Sequence, residues 1–182
     1  MRIREKLLGW RTGNREERNR TSPQKHDTAV LFETMTDTQL LAALSQRIAP
    51  AIRALNERQV VEGLDGPART LYLLNAFDRE IRGGGLCQFF VNSSRALAPW
   101  IPDALLQIEA SPYAQLYTDF TRRHQIDLSD LDSFAIRNLK EYEGQAARYP
   151  FDDFDRPFYD LEQVRPLASY LADYARKHRS EF

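Results

Sequence analysis

Cysteine occurs once in the 182 residues, at Cys87, which excludes an internal disulfide and fits a reducing compartment. Histidine occurs only at His26, His124 and His178, none with a ligand partner at a metal-binding spacing, so no metal is expected. No stretch approaches the roughly 18 consecutive apolar residues that a membrane-spanning helix needs. The opening residues lack the apolar core of a secretory signal, and Glu5, Glu16 and Glu17 set them apart from organelle transit peptides. These absences lead us to expect a cytoplasmic protein with no membrane association. Strand-length alternation of apolar and polar residues is missing too, and so is any internal repeat.

What the chain does have is helical periodicity. Apolar residues make up 42%, with ten Phe and eight Tyr, enough for a packed interior. Thr36 and Asp37 form a cap signal, after which Leu40, Leu41, Leu44, Ile48, Ile52 and Leu55 recur at helical spacing, with Pro50 expected to kink or split the helix. Pro67, Pro102 and Pro112 each suit a first helical turn. "LSDLDSFAIRNLKEYEGQAARY" carries helical periodicity throughout, and the last stretch reads as two helices separated near Glu162–Pro166. The expected fold is all-α, a compact multi-helix bundle of roughly seven to nine helices. Residues 1–28 read as a basic, flexible tail, and residues 29–182 as a single domain.

Net charge is −1, but it is segregated. Residues 1–26 hold eight basic and three acidic side chains, whereas residues 126–163 hold four basic and ten acidic ones. The tail could touch nucleic acid directly, an acidic lipid surface or the acidic region itself. Within that region "DDFD" concentrates Asp152, Asp153 and Asp155, followed by Asp160. Paired carboxylates can do acid–base work or hold a divalent ion, but Arg148 and Arg156 lie close and a helix start favours acids. A solvated helix start and a docking surface for a basic partner are the competing readings. Phe151, Phe154, Phe158 and Tyr159 interleave with these acids, a mixture suited to core packing on one side and protein contact on the other.

The sharpest local feature is "REIRGGGLCQFFVNSS", residues 79–94. A phosphate loop would need a preceding strand and a following Lys; here a helix precedes the glycines and no Lys follows. Gly83, Gly84 and Gly85 therefore read as an elbow that ends one helix and lets another start near Leu86. Glu80 sits in the last turn of the first helix, where its charge opposes the dipole. It is expected to fold across the corner and cap the second helix, with Gln88 and Asn92 as further hydrogen-bonding groups. Cys87, near a helix start, is either a lowered-pKa nucleophile or a small core residue.

This segment resembles the signature of a bacterial family of DNA-mimic proteins. The matching positions are Glu80, Ile81, Gly84, Gly85, Gln88, Phe89, Phe90 and Asn92. "FDDFDRPFYDL" resembles the family's second signature through Asp155, Phe158 and Tyr159, and "YARKHRSEF" its last helix and terminal Phe182. The resemblance spans roughly residues 36–182. Arg82, Gly83 and Leu86 depart from the pattern, which has two asparagines and a phenylalanine there. The resemblance implies a non-enzymatic regulator that binds a basic or nucleic-acid-binding protein through an acidic surface. Near-neutral net charge argues against imitation of a whole duplex. We expect Asp152, Asp153, Asp155 and Asp160 to make the contact, with Glu80, Gly83, Gly84, Gly85, Gln88 and Asn92 holding the architecture. No cofactor is expected. Two other classes remain in play: an immunity-type partner that neutralises a toxin or effector, and an enzyme with a pocket at the glycine corner.

Overall fold

Local capping chemistry sets where the helices begin. The computed structural model describes residues 32–53 and 55–182; the tail of residues 1–28 and a domain start at Ala29 lie outside the described residues. Helix α1 (Asp37–Ile52) opens on a reciprocal box in which Gln39 N–H donates to Thr36 Oγ1 at 3.3 Å and Thr36 N–H donates to Gln39 Oε1 at 3.0 Å. Pro50 falls inside α1 without splitting it, because it forfeits one hydrogen bond in a turn that is already ending. Helix α2 (Glu57–Gly63) uses the same device with Asn56 and Gln59.

Helix α3 (Gly66–Val91) is the axis of the molecule, touching α1, α2 and most of the elements that follow. A 3-10 segment (Ser93–Trp100) leads into α4 (Ile101–Gln107) and α5 (Ser111–Arg123), then α6 (Leu139–Arg148), α7 (Asp152–Val164) and α8 (Leu167–Lys177). Pro67, Pro102 and Pro112 sit in the first turns of α3, α4 and α5, as their fixed φ favours. From Asp37 onward the described residues form eight α-helices, residues 32–34 are helical too, and no strand occurs among them, an all-α fold within the expected range.

One expectation is corrected. The helical reading of residues 128–149 holds only for Leu139–Arg148. Before it, Asp127 accepts from the Ser129 N–H at 2.8 Å and hydroxyl at 2.6 Å, and Asp130 accepts from the Asp132 N–H at 3.4 Å. These short-range carboxylate turns compete with helical hydrogen bonding and leave one 3-10 turn at Asp132–Phe134.

The core is aromatic. Phe77 sits at its centre, edge-on to Phe89 at 5.1 Å, Tyr117 at 5.7 Å and Phe158 at 6.3 Å. These rings join α3, α5 and α7, and edge-to-face pairs add about 0.5–1.5 kcal/mol each beyond burial. The C-terminus is also built in: Phe182 is buried against Phe32, and Arg176 donates to the Phe32 and Met35 carbonyls and the Asp37 carboxylate.

Candidate functional site

Helix α3 breaks at the glycines. Gly85 has φ 74° and ψ −172°, a conformation that only glycine adopts readily. The axis changes there, and a second helical half runs from Leu86 to Val91, closed by the Asn92 N–H donating to the Gln88 carbonyl. Gly83 and Gly84 are exposed, and Gly85 is buried.

Two carboxylates pin this elbow through different groups. Asp155, in the first turn of α7, accepts the Leu86 N–H at 2.9 Å and so caps the second half of α3. It lies directly against Gly85, leaving no room for a side chain there. Glu80 approaches the second half from the side: its Oε2 accepts from Gln88 Nε2 at 2.9 Å and Asn92 Nδ2 at 2.8 Å. Gln88 and Asn92 stand one turn apart on one helix face, which is why a single carboxylate oxygen takes both. To reach Glu80, the Gln88 side chain lies over Gly83 and Gly84, filling the place where their side chains would be.

The structure therefore differs from the expectation that Glu80 caps the second helix. That N–H is taken by Asp155 from α7, and Glu80 binds the side-chain amides instead. The difference arises because helix N–H groups point along the axis, toward α7, while Glu80 meets the helix flank.

The environments of the two carboxylates differ accordingly. Burial raises the Glu80 pKa, but the hydrogen bonds from Gln88 and Asn92, with Arg79 nearby, outweigh it and hold the carboxyl below its ordinary value. For Asp155 burial wins: its single backbone donor does not offset it, Asp152 adds like charge, and the carboxyl is held above its ordinary value.

A third ion group ties the outer rim. Arg82 Nε donates to Asp78 at 2.9 Å, and its guanidinium also pairs with the buried Glu162 of α7. The other Glu162 oxygen accepts from the Tyr113 hydroxyl at 2.8 Å and the Leu167 N–H at 2.7 Å. Tyr159 donates to the Ile81 carbonyl at 3.2 Å. The elbow and α7 are thus one unit, joined at Ile81, Arg82, Gly85 and Leu86.

The predicted site residues fall into two groups. Asp152, Asp153 and Asp160 are exposed on α7, with Asp152 paired at 3.1 Å to the equally exposed Arg156. Asp155 is half-buried and committed to the elbow, together with Glu80, Gly83, Gly84, Gly85, Gln88 and Asn92. Residues 78–93 and 152–164 together carry seven carboxylates against three arginines, four negative charges in excess. The corner itself is filled by Gln88 and Asp155. Cys87 is buried, and its thiol is pushed up by that burial despite a hydrogen bond with Tyr142, the opposite of an activated nucleophile. Sequence reasoning missed Tyr113 and Glu162, whose partners lie 49 and 80 positions away and leave no local signal, and Asp78, whose i,i+4 spacing to Arg82 is a short-range signal.

Among the described residues, no group of three or more His, Cys, Asp or Glu side chains is arranged to hold a metal ion. No helix there is long and apolar enough to cross a membrane. The family model described as DMP19-like protein matches residues 62–178, from α2 through α8, so it includes both the elbow and α7. The chain belongs to that family. Comparison with curated proteins and with solved structures gives no match.

Proposed function

We propose that the protein is a non-enzymatic interaction module that engages a basic protein of the nucleic-acid-binding kind through the outer side of α7. The observation that carries this reading is the division of labour along that helix. Phe154, Phe158 and Glu162 are buried and Asp155 is spent on the elbow, while Asp152, Asp153 and Asp160 face solvent. Among the described residues Asp153 and Asp160 have no cation partner, and the exposed Asp152–Arg156 pair is worth at most about 1 kcal/mol. A basic partner can therefore displace Arg156 at little cost and meet three carboxylates on a rigid helix.

Family membership and the DNA-mimic character implied by the signature residues support the same direction of charge. The excess of four carboxylates around the elbow and α7 acts on encounter rate and partner choice more than on raw affinity. The elbow residues serve this surface indirectly, by fixing α7 against α3.

The test is reversal of Asp152, Asp153 and Asp160 to Lys, leaving Asp155 intact. The immobilised protein is used to capture partners from its host, with duplex DNA as competitor. We expect a basic partner that DNA displaces, lost in the triple variant while far-UV circular dichroism stays unchanged and stability falls only by the roughly 1–2 kcal/mol that two Lys cost in a first helical turn. Equal capture by the wild type and the variant would remove the proposed surface.

A further inference from the structure

Helix α6 is held more lightly than the elements around it. None of its ten residues is buried, and Leu139 at its start is 72% exposed. Two side chains face inward. The Tyr142 hydroxyl meets the Cys87 thiol, and Gln145 Nε2 donates to the Ser133 carbonyl at 2.5 Å. The other Gln145 atom, Oε1, is buried with no hydrogen-bond partner, which works against the closed position. Gly144 lies mid-helix with open space where a side chain would be, so it weakens the helix without aiding packing. A ten-residue helix has little stability of its own.

The ends of this segment are firmly rooted. Phe134 before it and Phe151 after it both pack on Phe90 of α3, at 5.0 and 6.4 Å. Tyr149 stacks on Phe134 at 5.4 Å and closes the base. Residues 135–148 are therefore a loop pinned at both feet to the core, with half-buried Ile136 and Tyr142 as its apolar attachments between them.

We propose that α6 is a strap that lifts from Cys87 by local unfolding while the elbow, α7 and the aromatic core stay folded. Lifting breaks the Tyr142 and Gln145 contacts, leaves the Phe134 and Phe151 anchors in place, and uncovers the Cys87 thiol. It also carries Glu141 and Glu143 away from their closed positions. The strap then sets how the acids of residues 127–160 are arranged, a consequence that rests on the binding role proposed above.

Cys87 is the chain's one cysteine, so a thiol reagent reads exposure at this one position and needs no partner. The native protein is treated with Ellman's reagent across sub-denaturing urea, and the labelling rate is compared with the global unfolding rate. We expect labelling at least about tenfold faster than global unfolding, with weak urea dependence. Tyr142→Ala should speed labelling by about five- to tenfold. Gly144→Ala, which favours the helix, should slow it by about two- to fivefold. Labelling at the global rate, or identical rates in wild type and Gly144→Ala, overturns the proposal. If Tyr142→Ala does not fold, amide exchange of the wild type decides instead. Faster exchange in α6 than in residues 86–91 supports the strap, and equal protection refutes it.

Discussion

Replacing Gly85 by alanine strikes the elbow at its most constrained point. The residue sits at φ 74°, ψ −172°, and moving a side chain into that region costs on the order of 1–3 kcal/mol. The added methyl would also overlap the Asp155 carboxylate, which must then release the Leu86 N–H. Losing that cap adds about 1–2 kcal/mol. The expected total is about 2–5 kcal/mol, or a fall in Tm of roughly 5–15 °C for a domain of this size. Gly144→Ala is the internal control, because its new methyl meets open space within a helix. It should stabilise by about 0.5–1 kcal/mol. Urea denaturation followed by circular dichroism measures both. If Gly85→Ala costs less than about 1 kcal/mol, or moves stability in the same direction as Gly144→Ala, the elbow is not held in the way described here.

Other consequences concern the carboxylates. Glu80→Gln removes the charge that strengthens the hydrogen bonds from Gln88 and Asn92 and sets an amide NH2 beside Arg79 in place of a carboxylate oxygen, and should cost about 1–3 kcal/mol, read from the urea midpoint. Glu80 has a lowered folded pKa, so its contribution is present above its ordinary value of 4.5 and is lost as pH falls through the folded value. The stability gap between wild type and Glu80→Gln should therefore widen as pH rises from about 3 to 6. Asp155 has a raised folded pKa, so the sign reverses: ionisation costs stability as pH climbs from 3.8 through the folded value. Wild type should lose ground to Asp155→Asn over that window, and parallel curves would refute the assignment. Arg82→Ala leaves the buried Glu162 with only Tyr113 and Leu167 as donors and should destabilise by about 2–3 kcal/mol in the same denaturation assay.

Where the chemistry is local, the sequence is readable. The Thr36 cap, the three prolines of first turns, the helix end at Asn92 and the break at the glycines all follow from residues a few positions apart. The Asn56–Gln59 box of α2 is an equally short-range signal. Residues 128–138 misled because apolar spacing alone does not register the Asp127 and Asp130 turns that compete with a helix. The roles of Glu80 and Asp155 were not separable in advance. Both carry a carboxylate, but which one caps depends on how α7 packs, and Asp155 stands 69 positions from Leu86 in the chain. The pairing of Arg82 with Glu162 was hidden for the same reason. The acidic character of α7 was legible from composition, whereas which of its aspartates point outward was not.

One contact holds the elbow above all, the Asp155 carboxylate lying against Gly85 and accepting the Leu86 N–H. A double-mutant cycle of Gly85→Ala and Asp155→Ala, measured by urea denaturation, tests it directly. Because both substitutions break the same contact, the double variant should be less destabilised than the sum of the singles by about 1–2 kcal/mol. Additivity within about 0.5 kcal/mol would show that the two residues act independently and would contradict it.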